Sequence, residues 1–249
     1  MTKYILTLCI LMTSFFSFGQ DKKFGITLQV ISPSKDDIRL GWYNIDGESI
    51  DGYNLKHKSY AGGLLANYNI NDQTIIRLRY GLTKYFIDEY KDMYTGGMHN
   101  VESNKGQQTK THIAPGIIWK INKNKLDLFG GFEIPINLHG QFTMDWNYSN
   151  TDSITGTITN SGQQKTTLPK GHSFGIGALM GFNYFPAKWF SVGAEFSPSL
   201  LYAKLSGKTE TVSISTVPTE TKAIYYTQDE DKGFTFYENR FSINLSVWF

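Results

Sequence analysis

Apolar and polar residues alternate with a period of two along eight stretches of the chain. In the first stretch, Phe24, Ile26 and Leu28 alternate with Gly25 and Thr27. Because successive side chains of a β-strand point to opposite faces, this period predicts eight strands, each with one apolar and one polar face. In chain order the stretches are 24–30, 60–70, 76–83, 110–121, 126–139, 173–184, 190–202 and 240–249.

The apolar faces of these strands have two ways of leaving water. A soluble β-sandwich turns its apolar faces inward, whereas a membrane barrel turns them outward to the lipid. The runs are about nine to twelve residues long, which suits a tilted strand that crosses a bilayer. Their polar faces are mostly Gly, Ser, Ala and Asn with few charges, as in the crowded lumen of a small barrel. The pattern favours a membrane barrel, with a secreted β-sandwich as the alternative.

The connections between the predicted strands alternate strictly between long and short. Four long connections cover roughly 33–59, 87–108, 141–171 and 204–233, and three short ones cover 71–74, 122–125 and 186–188. Short periplasmic turns and long external loops are typical of outer-membrane barrels. We therefore predict an all-β fold, an eight-stranded antiparallel transmembrane β-barrel with short periplasmic turns and long extracellular loops. A further transmembrane hairpin within the third or fourth loop would give ten strands.

The third and fourth long connections contain features of their own. The third begins with the aromatic-rich segment 142–148, and the fourth contains two strand-like segments at 209–214 and 223–226. These segments are predicted to extend the barrel strands above the membrane as a protruding sheet. Such a sheet presents an edge to which a partner can bind.

The first twenty residues are predicted to be separate from the barrel. Lys3 precedes an apolar run at 4–12, and small and polar residues follow at 13–20. This is the layout of a secretory signal peptide, so residues 1–20 form the predicted signal and residues 21–249 the barrel domain. The single cysteine, Cys9, lies within that signal. The exported chain then has no thiol, which excludes disulfides, thiolate metal sites and cysteine nucleophiles.

Composition narrows the class of protein further. The formal net charge of +2 gives no sign of nucleic-acid binding. Aromatic residues make up 15% of the chain, yet the mean hydropathy is only −0.30, too polar for a helical membrane protein. Aromatic residues also cluster near the predicted strand ends, as expected for rings at the lipid–water interface.

The last strand carries a recognisable pattern. Alternating apolar residues end in an aromatic residue at the C-terminus, through Phe241, Ile243, Leu245, Val247 and Phe249. This ending resembles the terminal strand of small outer-membrane β-barrel proteins of the OmpA/OmpX type. The resemblance implies recognition by the barrel-assembly machinery, localisation in the cell outer membrane, and outer-membrane lipid and lipopolysaccharide as partners. It implies no catalytic residue and no cofactor.

Several charged residues fall on the predicted inward faces. Because a buried charge is costly unless it is paired, we predict an internal Arg–carboxylate network. Its members are Arg77, Arg79, Glu133, Glu195 and Arg240. Lys120 and Asp127 are predicted to pair across a short turn at the periplasmic end. The network either plugs and rigidifies the barrel or lines a path for ions or solutes.

Two enzymatic or metal-binding alternatives rest on histidines. A lipid acyl hydrolase or transferase would use His172 and Ser173, with Glu195 or Glu238 as orienting acid. Adjacent strand residues point to opposite faces, which argues against that pair. His112 and His139 are the only two histidines predicted to meet, and hydrogen-bonded lumen histidines are favoured over a metal site.

The sequence thus predicts a non-enzymatic outer-membrane β-barrel protein without metal or cofactor. It acts through its extracellular loops, by adhesion or partner binding, or as a structural component of the membrane. The loop ligand is left unnamed by the sequence. A small pore or solute channel is the alternative, followed by a lipid-modifying enzyme.

Overall fold

The computed structural model describes residues 23–32, 53–217, 219–235 and 240–249, which form one antiparallel sheet. The predicted signal peptide, Cys9 and Glu238 lie outside these residues, as does most of the first long loop. Among the described residues, no helix is long and apolar enough to cross a membrane. The strands are β1 (Phe24–Ser32), β2 (Tyr53–Asn69), β3 (Thr74–Thr95), β4 (Met98–Lys123), β5 (Leu126–Glu133), β6 (Ile136–His139), β7 (Phe142–Asp152), β8 (Ile158–Leu168), β9 (Gly171–Ala187), β10 (Phe190–Ser197), β11 (Ser199–Val217), β12 (Thr221–Thr235) and β13 (Arg240–Trp248).

The strand pairings form a closed circuit. β1 pairs on one side with β2 and on the other with β13. From β2 the pairings continue through β3, β4, β5 and β9 to β10, which pairs with β13. Hydrogen-bonded neighbours therefore lead around the sheet and back to β1. Within this circuit the sheet has an inner and an outer face.

Several of the thirteen strands are successive parts of one longer strand. β5, β6 and β7 pair with three successive stretches of β4, namely 116–123, 110–113 and 98–107. β9 and β8 pair with successive stretches of β11 in the same way. Pro135, Pro169 and Pro198 lie at three of the breaks, because proline lacks the N–H that a ladder requires. The sequence predicted eight strands, and these breaks account for much of the difference.

Three segments predicted as loops are mostly strand. β3 and β4 continue to a tight turn at Gly96 and Gly97, whose φ angles are 60° and 81°. Positive φ at both central residues is typical of the two-residue turns that match strand twist. β7 and β8 form a second long hairpin, and β11 and β12 form a third. The predicted strand character of 209–214 and 223–226 is confirmed, since Val212 pairs with Ile224.

Polar side chains occupy the inner face of the circuit, and apolar side chains occupy the outer face. Arg79 and Glu195 are only 1% and 2% exposed, whereas Leu28 and Val30 are 60% and 68% exposed. On β13 the exposure alternates residue by residue from buried Arg240 onward. A soluble sandwich would bury the opposite face, so the burial contradicts that alternative.

An apolar layer crosses the interior beside the short turns. Five buried side chains form it, and Phe185 packs against them. The indole nitrogen of Trp248 donates a hydrogen bond to Ser191 Oγ at 3.0 Å. The sequence predicted a mainly polar interior, and this layer departs from that prediction where two adjacent strand residues are both apolar. The five are Ile75, Ile118, Phe129, Leu179 and Trp248.

Candidate functional site

Four charged residues meet in the interior, above the apolar layer. Arg77 and Arg79 share one face of β3, whereas Glu133 ends β5 and Glu195 lies on β10. The terminal nitrogens of Arg77 lie 2.7 and 2.9 Å from the two carboxylate oxygens of Glu195. Glu133 Oε2 lies 3.3 Å from Nη2 of both arginines, and Arg79 also contacts Glu195. The structure thus brings together four of the five residues of the predicted network.

Local geometry places the two carboxylates within reach of the arginines. Arg77 pairs with Gly116 of β4, and Gly116 pairs in turn with Glu133, so these three residues form a lateral row. On the other side Glu133 pairs with Gly177 of β9. A Cβ atom at Gly177 would lie 3.1 Å from Glu133 Cγ. The glycines therefore leave the space that the buried Glu133 side chain fills.

The four charged side chains of this cluster are almost completely shielded from solvent. All four side chains are 1% exposed in their ion pairs, so each charge depends on its partners and not on water. A small cavity of about 20 Å³ lies beside Arg77 and Glu195. Its size corresponds to about one water molecule.

A second polar network surrounds Asn137 of β6. His112 Nδ1 donates to the Asn137 side-chain oxygen at 2.7 Å, and Arg240 Nη2 donates to the same oxygen at 3.3 Å. The Asn137 amide nitrogen donates to Ser173 Oγ at 2.9 Å, and His139 Nε2 lies 3.4 Å from that hydroxyl. Asn137 was not among the predicted site residues. Nothing in its sequence surroundings distinguishes it from other polar residues on an inner face.

The structure separates His172 from Ser173 and places His112 and His139 in one hydrogen-bond network. Ser173 is fully buried, whereas His172 is exposed on the other face, so the two residues do not form a catalytic pair. Glu195, one predicted orienting acid, is bound by the two arginines. His112 and His139 share the Asn137 network through different partners. Within the described ranges, no three His, Cys, Asp or Glu residues are grouped so that they could hold a metal ion.

The remaining predicted residues lie near the short-turn end and on the last strand. Lys120 Nζ lies 3.7 Å from Asp127 Oδ2, and both side chains are largely buried. On β13, Phe241, Ile243 and Leu245 are about half exposed on the outer face. Val247 and Phe249 continue that face and are partly buried. Their role as an assembly signal stays a prediction.

Beyond the closed circuit, the long hairpins form an extended upper sheet. We use this name for the distal parts of β2, β3, β4 and β11 together with β7, β8 and β12. Trp146 and Tyr148 share one face of β7, with ring centroids 4.9 Å apart. Trp146 pairs with Asn104, which lies on the same face of β4 as the buried Lys110. The aromatic pair therefore faces the axis of the circuit.

Comparison with known proteins gives only distant likenesses. No family model matches the chain, and no curated protein matches it. Among solved structures, Neisserial surface protein A is 11% identical with a TM-score of 0.34, and the match covers 91% of this chain and 97% of that one. A major outer membrane protein from Thermus thermophilus is 12% identical with a TM-score of 0.37, covering 91% and 98%. Both scores are low, and the fold is defined by its strand pairing and burial.

Proposed function

We propose that the chain is a non-enzymatic β-barrel protein of an outer membrane, with a sealed lumen and a binding surface on its extracellular hairpins. The burial pattern is the observation that carries this proposal. A ring of strands that buries Arg, Glu, Asn and Ser while it exposes Leu, Ile and Phe is unstable in water. In a bilayer the same arrangement satisfies both faces.

The proposed barrel has eight membrane-spanning strands. β1 to β4 contribute four, β5 and β6 with their extension β7 contribute the fifth, and β9 with its extension β8 the sixth. β10 and β11 form the seventh, because both pair with β9. β13 and β12 pair with β10 and β11 respectively and supply the eighth. An even number of strands suits an outer-membrane barrel.

The apolar belt on the outer face has the height that a membrane requires. On β9 the exposed side chains from Phe174 to Tyr184 span ten residue steps. At about 3.4 Å per residue and a tilt of about 40°, this corresponds to roughly 25 Å along the membrane normal. That height matches the lipid-facing band of outer-membrane barrels. Export through the predicted signal peptide and insertion by the barrel-assembly machinery complete the proposal.

Two layers close the proposed lumen. The charge cluster of Arg77, Arg79, Glu133 and Glu195 fills the middle, and the apolar layer around Phe129 and Trp248 fills the end with the short turns. An ion would have to displace both layers in order to pass. The plug hypothesis is therefore favoured over the pore hypothesis.

The upper sheet supports the proposed binding role. Its strands extend well beyond the apolar belt, and they carry exposed aromatic residues such as Tyr94, Tyr225 and Tyr226. β12 pairs with β11 from Thr221 to Thr235. Exposed aromatic residues on long projecting strands suit adhesion or partner binding. Contact with lipopolysaccharide belongs to the same proposal.

A combined gel and conductance experiment tests this function. Protein from isolated outer membranes should migrate differently on SDS gels before and after boiling, because a folded barrel resists cold SDS. In planar bilayers the purified protein should give no stable channel. Recovery of the protein from the soluble periplasm would contradict the membrane assignment, and stable multi-nanosiemens channels would contradict the sealed lumen.

A further inference from the structure

A wide bowl opens at the end of the ring that carries the short turns. Its volume is about 790 Å³, within the usual range of small-molecule sites. Its lining is partly apolar and includes Phe185 and Trp248 of the apolar layer. Neither the charge cluster nor the upper sheet contributes to it. The bowl is therefore a separate candidate site.

Hydrogen bonds between neighbouring strands and turns hold the wall of the bowl in place. The N–H of Lys120 donates to the carbonyl of Gln73 at 2.8 Å, and the N–H of Phe185 donates to the carbonyl of Lys125 at 2.7 Å. Within the first turn, Asn71 Oδ1 accepts hydrogen bonds from the N–H groups of Gln73 and Thr74. A rim that is fixed in advance loses little conformational freedom when a ligand binds.

The wall of the bowl carries more positive than negative charges. Four lysines and two aspartates line the bowl: Lys23, Lys120, Lys125, Lys188, Asp72 and Asp127. The wall therefore has a net charge of +2. Lys120 and Asp127 form one ion pair within it, at 3.7 Å. A concave wall of one dominant sign concentrates ligands of the opposite sign. Ammonium groups bind phosphate well as point charges.

Amide side chains add a second kind of recognition. Asn122 and Asn124 line the bowl and are exposed to solvent. Amides both donate and accept hydrogen bonds, so they suit the hydroxyl groups of a sugar. The apolar part of the lining suits the less polar face of a sugar ring.

We propose that the bowl binds a phosphorylated sugar or polyol, with the lysines around the phosphate and the amides around the hydroxyl groups. That this ligand comes from the periplasm rests on the proposed function, which orients the short turns toward that compartment. The same chemistry is offered by a free sugar phosphate and by a phosphatidylglycerol headgroup.

Isothermal titration calorimetry on the refolded barrel in a non-ionic detergent tests the site. Glucose 1-phosphate is the probe, and glucose is its uncharged control. The double variant Lys125→Gln/Lys188→Gln removes two exposed lysines of the wall and should weaken binding of glucose 1-phosphate about tenfold. Lys123→Gln is the matched control, because Lys123 is exposed beside the same turn but does not line the bowl. Its affinity should stay within about twofold of the parent.

The outcomes separate this site from the proposed function. Equal binding of glucose and glucose 1-phosphate, no binding at all, or equal weakening in Lys123→Gln would overturn the site, even if the protein shows the gel shift of a folded barrel. In nanodiscs, competition by phosphatidylglycerol but not phosphatidylcholine would identify the lipid headgroup as the source. Unchanged affinity in both lipids would identify the free sugar phosphate. Binding by a protein found to be soluble would retain the site and overturn only the membrane assignment.

Discussion

Arg77 holds Glu195 through both terminal nitrogens, at 2.7 and 2.9 Å, although the two residues are 118 positions apart in the chain. This fork-to-fork contact joins β3 to β10 across the interior of the ring. Bidentate arginine–carboxylate pairs fix geometry as well as charge. The contact therefore ties the first half of the barrel to the second.

Glu195→Gln should destabilise the protein by about 3 kcal/mol, because it leaves two buried arginines with one full carboxylate partner fewer. Glu210→Gln is the control, since Glu210 is exposed on β11, and its effect should stay within about 0.5 kcal/mol. Urea unfolding in lipid vesicles, followed by tryptophan fluorescence, measures both variants. Equal stability of Glu195→Gln and the parent would show that the cluster contributes nothing to the fold.

Gly177→Ala should also weaken the cluster. The added Cβ would lie 2.9 Å from Ser199 Oγ and 3.1 Å from Glu133 Cγ, so Glu133 has to shift away from the arginines. We expect a loss of about 1–3 kcal/mol. Gly233→Ala is matched to it, because a Cβ at Gly233 meets nothing within 4 Å. The same unfolding measurement compares the two, and a loss of equal size in both variants would contradict the steric explanation.

The substitution Ile243→Lys tests whether the outer face of the ring contacts lipid or water. Ile243 is 51% exposed on β13, in the middle of the proposed apolar belt. Ile243→Lys should cost about 2–4 kcal/mol in phosphatidylcholine vesicles, since the ammonium group enters hydrocarbon. Ile224, 46% exposed on β12 of the upper sheet, provides the comparison, and Ile224→Lys should be close to neutral. Neutral behaviour at both positions would contradict the membrane assignment.

The turn between β7 and β8 should depend on the charge of Asp152. The carboxylate accepts hydrogen bonds from the N–H groups of Thr155 and Ile154, at 2.9 and 2.8 Å, and these bonds hold the pKa of Asp152 below its usual value. A lowered pKa means that the carboxylate stabilises the turn above its ordinary pKa, and that this contribution is lost as the pH falls through the folded-state pKa. Carboxyl NMR titration should give the lowered value, with the amide signals of both donors changing in the same step. Titration at the ordinary aspartate pKa would contradict this account.

The local sequence pattern predicts much of the barrel and of its charge cluster. The period of two shows which residues share a strand face, and the sparse charges among small residues show which face is inside, because both signals depend only on neighbouring residues. These two signals predict inward faces for Arg77, Arg79, Glu133 and Glu195, and all four residues are buried. Their burial also follows from chemistry that is independent of the exact fold, since paired charges are tolerated inside a barrel and unpaired ones are not.

The tertiary structure decided the features that the local sequence pattern does not specify. The long β3–β4 hairpin lacks a strong apolar period, as in the polar stretch 98–109, and it forms because cross-strand hydrogen bonding needs no particular side chain. The apolar layer and the Asn137 network were missed for a related reason. Which inward residue contacts which depends on strand register, and register is set by the closure of the whole sheet. The sequence by itself determined the faces of the strands, and the closed ring determined the contacts.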